Sequence, residues 1–218
     1  MNEETFQSIA AQLRQPHGEY AIEVGQKMNE GNLHINLNTI EALRLTANDN
    51  VLELGMGNGF FVKNILSVDH SIHYTGCDFS EVMVNEAIKC NENFIQAGRA
   101  VFHFANASQL PFTGVTFNKI FTINTLYFWE DVNAVLAGIK KVLQSGGELF
   151  ISIRPKYVME HYPFTKYGFS MFSKDELKDL VTANGFHKAE IIEMDEPSQE
   201  INGEMLIVKT LIVRAENL

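Results

Sequence analysis

Cysteine is scarce in this 218-residue chain, with only Cys77 and Cys90, and that scarcity argues against a disulfide-stapled scaffold. The two thiols fall on an expected strand and the helix after it and read as free core residues. The five prolines gather into no linker, and no Gly/Ser-rich stretch, low-complexity tract or fixed-period repeat divides the sequence. Basic residues are few: 17 Lys and Arg stand against 27 Asp and Glu, a formal charge of −10, and the longest basic block is Lys140-Lys141. A nucleic-acid partner is therefore not expected, because phosphate neutralisation needs clustered cations. No apolar run is long enough to span a bilayer, and the start Met1-Asn-Glu-Glu is unlike a signal peptide. These features predict a cytoplasmic protein without membrane insertion.

What the chain does have is a 45% hydrophobic composition, enough for a substantial core, and it is expected to form one domain over residues 1–218. The most informative stretch is Val51-Leu-Glu-Leu-Gly-Met-Gly-Asn-Gly-Phe-Phe61. Val51, Leu52 and Leu54 read as a short buried strand. Gly55, Gly57 and Gly59 then remove the side chains that would keep a ligand off the backbone. Phe60, Phe61, Ile65 and Leu66 fall near helical spacing, so the loop feeds a helix N-terminus. The spacing G-x-G-x-G, with Glu53 two positions ahead, differs from the dinucleotide fingerprint G-x-G-x-x-G, and no G-x-x-x-x-G-K-[ST] occurs. About twenty residues on, His73-Tyr-Thr-Gly-Cys-Asp78 delivers a carboxylate where doubly wound folds hold a ribose. Asp78 also begins a capping sequence in which Ser80 is the N-cap, and the two roles are compatible.

Residues 51–59, 78–87 and 107–112 together resemble the class I S-adenosylmethionine-dependent methyltransferases, of a small-molecule type. The resemblance implies a three-layer α/β fold with a Rossmann-like seven-stranded sheet, mostly parallel with an antiparallel C-terminal strand, under an N-terminal helical lid. It divides the chain into a helical cap (1–47), a cofactor-binding half (48–153) and a substrate-side insertion with C-terminal strands (154–218). It implies S-adenosyl-L-methionine as cofactor. The implied contacts come from Glu53, Leu54, Gly55, Met56, Gly57, Asn58 and Gly59 of the loop and from Asp78, Phe79 and Met83 after the second strand. Asn106 and Ala107 follow the third strand, and Asn124 and Thr125 the fourth. Asn106 stands where the family often has Asp, and its side-chain oxygen would accept from the adenine amine. Asn118 is a second such departure, in the turn before the fourth strand, which reads as residues 119–123. Residues 140–150 resemble the helix, double-glycine turn and fifth strand that close the cofactor half.

Helical spacing in Phe6, Ile9, Leu13 and in Ile22, Val24, Met28, with Pro16-His-Gly18 between, predicts two N-terminal helices. With Asn32-Leu-His-Ile-Asn36 they resemble lid helices. After the fifth strand, residues 154–171 are aromatic and too irregular for a plain helix. Phe172-Ser-Lys-Asp-Glu-Leu177 then restarts a helix with Ser173 and Glu176 as a capping box. Two strands, about residues 188–194 and 205–214, complete the sheet as an antiparallel pair, the second inserted.

The expected substrate wall is Tyr20, Tyr127, Trp129, His161 and Tyr162, with Phe164. Methyl transfer from a sulfonium can proceed through proximity and alignment alone. Where a base helps, His17, Tyr20, Tyr127 and His161 are the candidates, with His34 and Tyr162 behind them. No compact Asp/Glu/His cluster has metal-ligand spacing. Methyl transfer to a small-molecule acceptor is the leading reading. A non-catalytic cofactor-binding protein stays open beside it, as does a nicotinamide-dependent oxidoreductase.

Overall fold

The computed structural model describes residues 2–114, 117–201 and 203–218. Three helices come first: α1 (Glu3–Arg14), α2 (Ala21–Gly31) and α3 (Leu33–Ala42). Asn2 caps α1 by accepting from the Thr5 backbone, and Pro16 and Gly18 break the chain before α2. The buried face of α2 carries Ala21 and Gly25, whereas Ile22 is exposed. Alternation of strand and helix follows: β1 (Asn50–Leu54), α4 (Val62–Leu66), β2 (His73–Asp78), α5 (Glu81–Cys90), α6 (Glu92–Gln96), β3 (Ala100–Phe104), β4 (Phe117–Ile123), α7 (Val132–Val142) and β5 (Leu143–Ile153). The remainder comprises α8 (Lys156–Met159), α9 (Lys174–Ala183), β6 (His187–Asp195), β7 (Gln199–Ile201), β8 (Glu204–Leu206) and β9 (Lys209–Glu216). Single 3₁₀ turns occupy Leu126–Phe128 and Pro163–Lys166.

One seven-stranded sheet runs in the order β3-β2-β1-β4-β5-β9-β6. The pairs β3-β2, β2-β1, β1-β4 and β4-β5 are parallel, and β9 runs antiparallel between β5 and β6. Such a sheet is covered on both faces, which is why β1 and β4 are almost continuously buried rather than alternating. One core layer packs α7 and α9 residues such as Leu136, Ile139 and Leu177 beneath Leu52, Ile120 and Ile151. The other sets Ile35, Val62 and Ile65 against Val51, Phe121 and Phe150. Ser80, Asp131 and Ser173 cap α5, α7 and α9, the last with Glu176 in a capping box. Cys77 lies buried in β2 and Cys90 exposed at the end of α5, both free.

The strand expected over residues 205–214 is corrected. It divides at 207–208 into β8, which forms a two-stranded hairpin with β7, and the sheet strand β9. Met205 and Ile207 are each 68% exposed, while Val208 and Ile201 pack with Val158 in a small satellite core. The apolar density that suggested one long strand serves two separate cores. The departure at Asn118 has a structural counterpart: its Oδ1 accepts from Asn50 N (2.6 Å) and its Nδ2 donates to the buried Asp49 carboxylate. An aspartate there would set two carboxylates against each other.

Candidate cofactor site

The strand order reverses between β1 and β4, so the chains leaving their C-terminal ends diverge and open a crevice. It is a cavity of about 280 Å³ whose floor is the glycine loop and whose roof is the N-terminal helices. Gly55, Gly57 and Gly59 all have positive φ (+77°, +57° and +67°), a region that penalises a side chain, but each does different work. A Cβ on Gly55 would meet Thr125 Cγ2 at 2.2 Å, so this glycine lets the loops after β1 and β4 close on each other. A Cβ on Gly59 would meet Asn91 and Ala87 of the helix behind the loop. At Gly57 a Cβ would meet no protein atom. Its backbone faces open cavity, a cradle that a side chain would fill.

Asp78 organises the loop from the neighbouring strand. Its Oδ2 accepts from Gly57 N (2.9 Å) and its Oδ1 from Ser80 N (2.8 Å). Burial pushes its pKa up although these backbone N–H groups favour the charged form. Glu53 is also buried, with Oε2 accepting from the Tyr74 hydroxyl (2.5 Å), and desolvation raises its pKa to about 7. Among the described residues, neither carboxylate has a Lys or Arg in ion pair. Two buried acids facing a cavity whose one described basic residue, Arg14, is paired with Glu130 suit a ligand that brings positive charge and hydroxyl groups of its own.

Glu53, Leu54, Gly55, Met56, Gly57, Asn58, Asp78, Phe79, Met83, Asn106, Ala107, Asn124 and Thr125 all line this cavity, whereas Gly59 lies behind it. Asn106 Oδ1 accepts from both the amide and the hydroxyl of Ser108 (3.0 Å each), which turns its Nδ2 outward as a donor. Trp129 lines the cavity; Tyr20, Tyr127, His161, Tyr162 and Phe164 do not. Tyr20 is 60% exposed at the start of α2. Tyr127 is buried, its oxygen accepting from Arg154 N (2.7 Å), and burial drives its hydroxyl far above the ordinary tyrosine range. His161 stands 3.3 Å from Glu204 on the β7–β8 side, and Tyr162 bonds Gln199 there and stacks on Phe164. His17 is exposed, its Nδ1 2.8 Å from Gln15 O, and like His34 it stays outside the cavity. The insertion's aromatics thus pack under β7 and β8 or against Phe169, a placement that local spacing does not reveal.

Sequence reasoning missed Leu13, Arg14, Met28, Asn29, Phe61 and Phe128 among the lining residues, and gave no role to Asn32 and Asn36 within the lid segment. Three contacts fasten α1 over the opening: Arg14 to Glu130, Gln15 Nε2 to Phe79 O (2.7 Å) and Ser80 Oγ to Pro16 O (2.6 Å). Gly25 lets α2 descend onto α5; a Cβ there would sit 3.0 Å from Met83 Sδ. No group of three or more potential metal ligands occurs among the described residues, and none of their helices is long and apolar enough to cross a membrane.

Comparison with known proteins agrees with this geometry. A family model for the methyltransferase domain matches residues 52–151, the run from β1 to β5. An O-methyltransferase of Pyrenophora dematioidea is 26% identical over 177 residues, 78% of this chain and 66% of the relative. A putative methyltransferase of Bacillus subtilis (strain 168) is 32% identical over 114 residues, 52% of this chain and 62% of that one. The chain thus spans about two thirds or less of the length of these relatives. A Thermotoga maritima SAM-dependent methyltransferase, described as a possible histamine N-methyltransferase, superposes with a TM-score of 0.67. It covers 90% of this chain and 96% of its own at 18% identity, a likeness of fold. The cofactor of such proteins is S-adenosylmethionine; residues 52–151 of this chain match the methyltransferase domain, and its relatives and sheet order make it similar to the class I S-adenosylmethionine-dependent methyltransferases.

Proposed function

We propose that the protein transfers a methyl group from S-adenosylmethionine to a small-molecule acceptor within this roofed cavity. The observation that carries the reading is the cradle at Gly57, bordered by two buried carboxylates that no Lys or Arg among the described residues pairs with. Asp78 is suited to the ribose hydroxyls: each of its oxygens already accepts one N–H yet keeps capacity for a second donor. Asn106 offers an N–H, so it fits an adenine ring nitrogen better than the adenine amine. Backbone around Asn124 and Thr125 borders the amino-acid end. When bound, the cofactor supplies a methyl group on a sulfonium, an intrinsically reactive donor.

This chain's own contribution is enclosure and alignment. The lid excludes water, and Met28, Phe128 and Trp129 form an apolar wall against which a flat or apolar acceptor can be held. Among the described residues no His or Tyr lines the cavity, and its outer carboxylates are engaged, Glu130 by Arg14 and Asp131 by the Ala134 amide, so the rate enhancement is assigned to positioning rather than to a dedicated side-chain base. An enclosed cavity in a chain of charge −10 suits a small acceptor better than a nucleic acid. In this reading residues 1–47 are the cap, 48–153 hold the cofactor, and 154–218 buttress the acceptor side within one domain.

S-adenosylmethionine and S-adenosylhomocysteine should each raise the melting temperature while NADH and NADPH do not; a ligand at 100 times its dissociation constant adds roughly 2.7 kcal/mol. Stabilisation by the nicotinamides alone would overturn the reading, and radiolabel transfer to a metabolite panel would then identify the acceptor. Gly57→Ala should cost only about 1 kcal/mol of stability, the strain of a side chain at positive φ, while weakening S-adenosylhomocysteine about tenfold. Calorimetric titration beside a melting curve separates the two effects.

A further inference from the structure

We propose that Asn32 is the hydrogen-bond donor that receives the carboxylate of the cofactor's amino-acid end, held in that orientation by Arg154 behind it. The assignment rests on the cofactor reading above and adds a residue to it. Asn32 joins α2 to α3 and lines the cavity. Its Oδ1 accepts from Arg154 Nη1 (3.3 Å) and from Asn124 Nδ2 (3.1 Å). A guanidinium can only donate, so the amide oxygen must face it and the amide cannot flip. That turns Nδ2 away from Arg154, and it bonds no described residue.

The surroundings make this orientation rigid. Arg154 Nη2 donates to Gly31 O (2.7 Å) and Asn36 Nδ2 donates to Asn32 O (2.8 Å), pinning the backbone on both sides of the junction. The Tyr127 oxygen accepts from Arg154 N, and its single proton is shared between Asn124 Oδ1 and Arg154 O, each at 3.1 Å. One buried arginine therefore sets the orientation of the Asn32 amide and, through it, of the Asn124 amide. Arg154 is also paired with the buried Glu196, and its Nε has no partner, so donor capacity is left over behind Asn32.

The cavity has few other ways to meet an anion. Arg14 is the one basic residue among its described lining, and it is committed to Glu130. A carboxylate entering here must be met by neutral donors. Asn32 is the cavity amide backed by a guanidinium, and it touches Asn124 at the end of β4, beside the glycine loop. A neutral N–H polarised by a buried cation is a strong donor to a carboxylate.

The test compares S-adenosylhomocysteine with 5′-methylthioadenosine, which has the same nucleoside and thioether but no amino-acid carboxylate. Asn32→Asp keeps an oxygen for Arg154 and Asn124 and exchanges the free donor for an anionic acceptor. Calorimetry should show S-adenosylhomocysteine weakened by about 30-fold or more and methylthioadenosine within twofold of wild type. Asn32→Ala, which adds no charge, should show the same selectivity at about tenfold. Methylthioadenosine binding also reports that each variant is folded. Unchanged S-adenosylhomocysteine affinity, or equal losses for both ligands, would overturn the assignment. If wild type binds neither nucleoside, the cofactor reading fails and this assignment with it; if it binds both and the variants do not discriminate, only the role of Asn32 falls.

Discussion

Asp78→Ala is expected to lower S-adenosylhomocysteine affinity by about 100-fold or more and to destabilise the protein by about 2 kcal/mol, two losses with separate origins. The stability loss comes from the chain itself. Gly57 N and Ser80 N lose their acceptor (2.9 and 2.8 Å), and no other described side chain is placed to replace it. A partly buried N–H left unpaired costs about 1–3 kcal/mol. The affinity loss adds the ligand's own unpaired hydroxyls to a loop no longer held in its binding shape. Asp78→Asn separates these contributions, because its oxygen can still accept from one backbone N–H while the amide offers donors where the ribose needs acceptors. Calorimetric affinity together with urea unfolding measures both. If Asp78→Ala keeps wild-type affinity, the ribose assignment is wrong.

Glu53→Gln should stabilise the ligand-free protein by roughly 3 kcal/mol above pH 7 and by almost nothing near pH 4.5. In the folded chain the Glu53 pKa is raised from an ordinary 4.5 to about 7, chiefly because burial strips the carboxylate of water. Between those values the folded state holds a proton that the unfolded state has released, so wild-type stability falls as pH rises through this window. The gap of about 2.5 pH units corresponds to roughly 3 kcal/mol. Glutamine has the same shape, still accepts from the Tyr74 hydroxyl, and does not ionise. The difference in unfolding free energy between variant and wild type, followed from pH 4.5 to 8, isolates this group from others that titrate in common. A pH-independent difference would mean that folding leaves the Glu53 pKa at its ordinary value. The same substitution should weaken S-adenosylmethionine, since it removes an anion that the cationic ligand can match. A residue that destabilises the empty protein while favouring the bound one is a common compromise of binding sites.

Much of the cofactor half is legible in the sequence because its signals are local. The loop after β1 needs positive φ at three alternate positions, and glycine at 55, 57 and 59 advertises that directly. Ser80 before α5 and Ser173 with Glu176 before α9 announce helix starts through bonds spanning three residues. β4 shows as a buried parallel strand because six of its seven residues are buried. The acceptor side is not legible in this way. Tyr127 and Trp129 lie two residues apart in one loop, yet only Trp129 reaches the cavity, since the Tyr127 hydroxyl is recruited by the Arg154 backbone, 27 residues on. His161 and Tyr162 sit in an aromatic segment that invites a substrate role. The β7–β8 hairpin draws them aside instead.

The sequence by itself determined the alternation of strands and helices from β1 to β5, the backbone conformation of the glycine loop, the caps of α5 and α9 and the methyltransferase resemblance, because each depends on neighbours a few residues apart or on hydrophobic period. Tertiary structure decided which polar groups meet. Arg14 with Glu130, Arg154 with Asn32 and Glu196, and Asn118 with Asp49 are separated by 42 to 122 residues, and no local pattern encodes their pairing. Their partners are chosen by the lid helices lying over one end of a sheet whose strand order departs from chain order, so the wall of the cavity exists only once that sheet has formed.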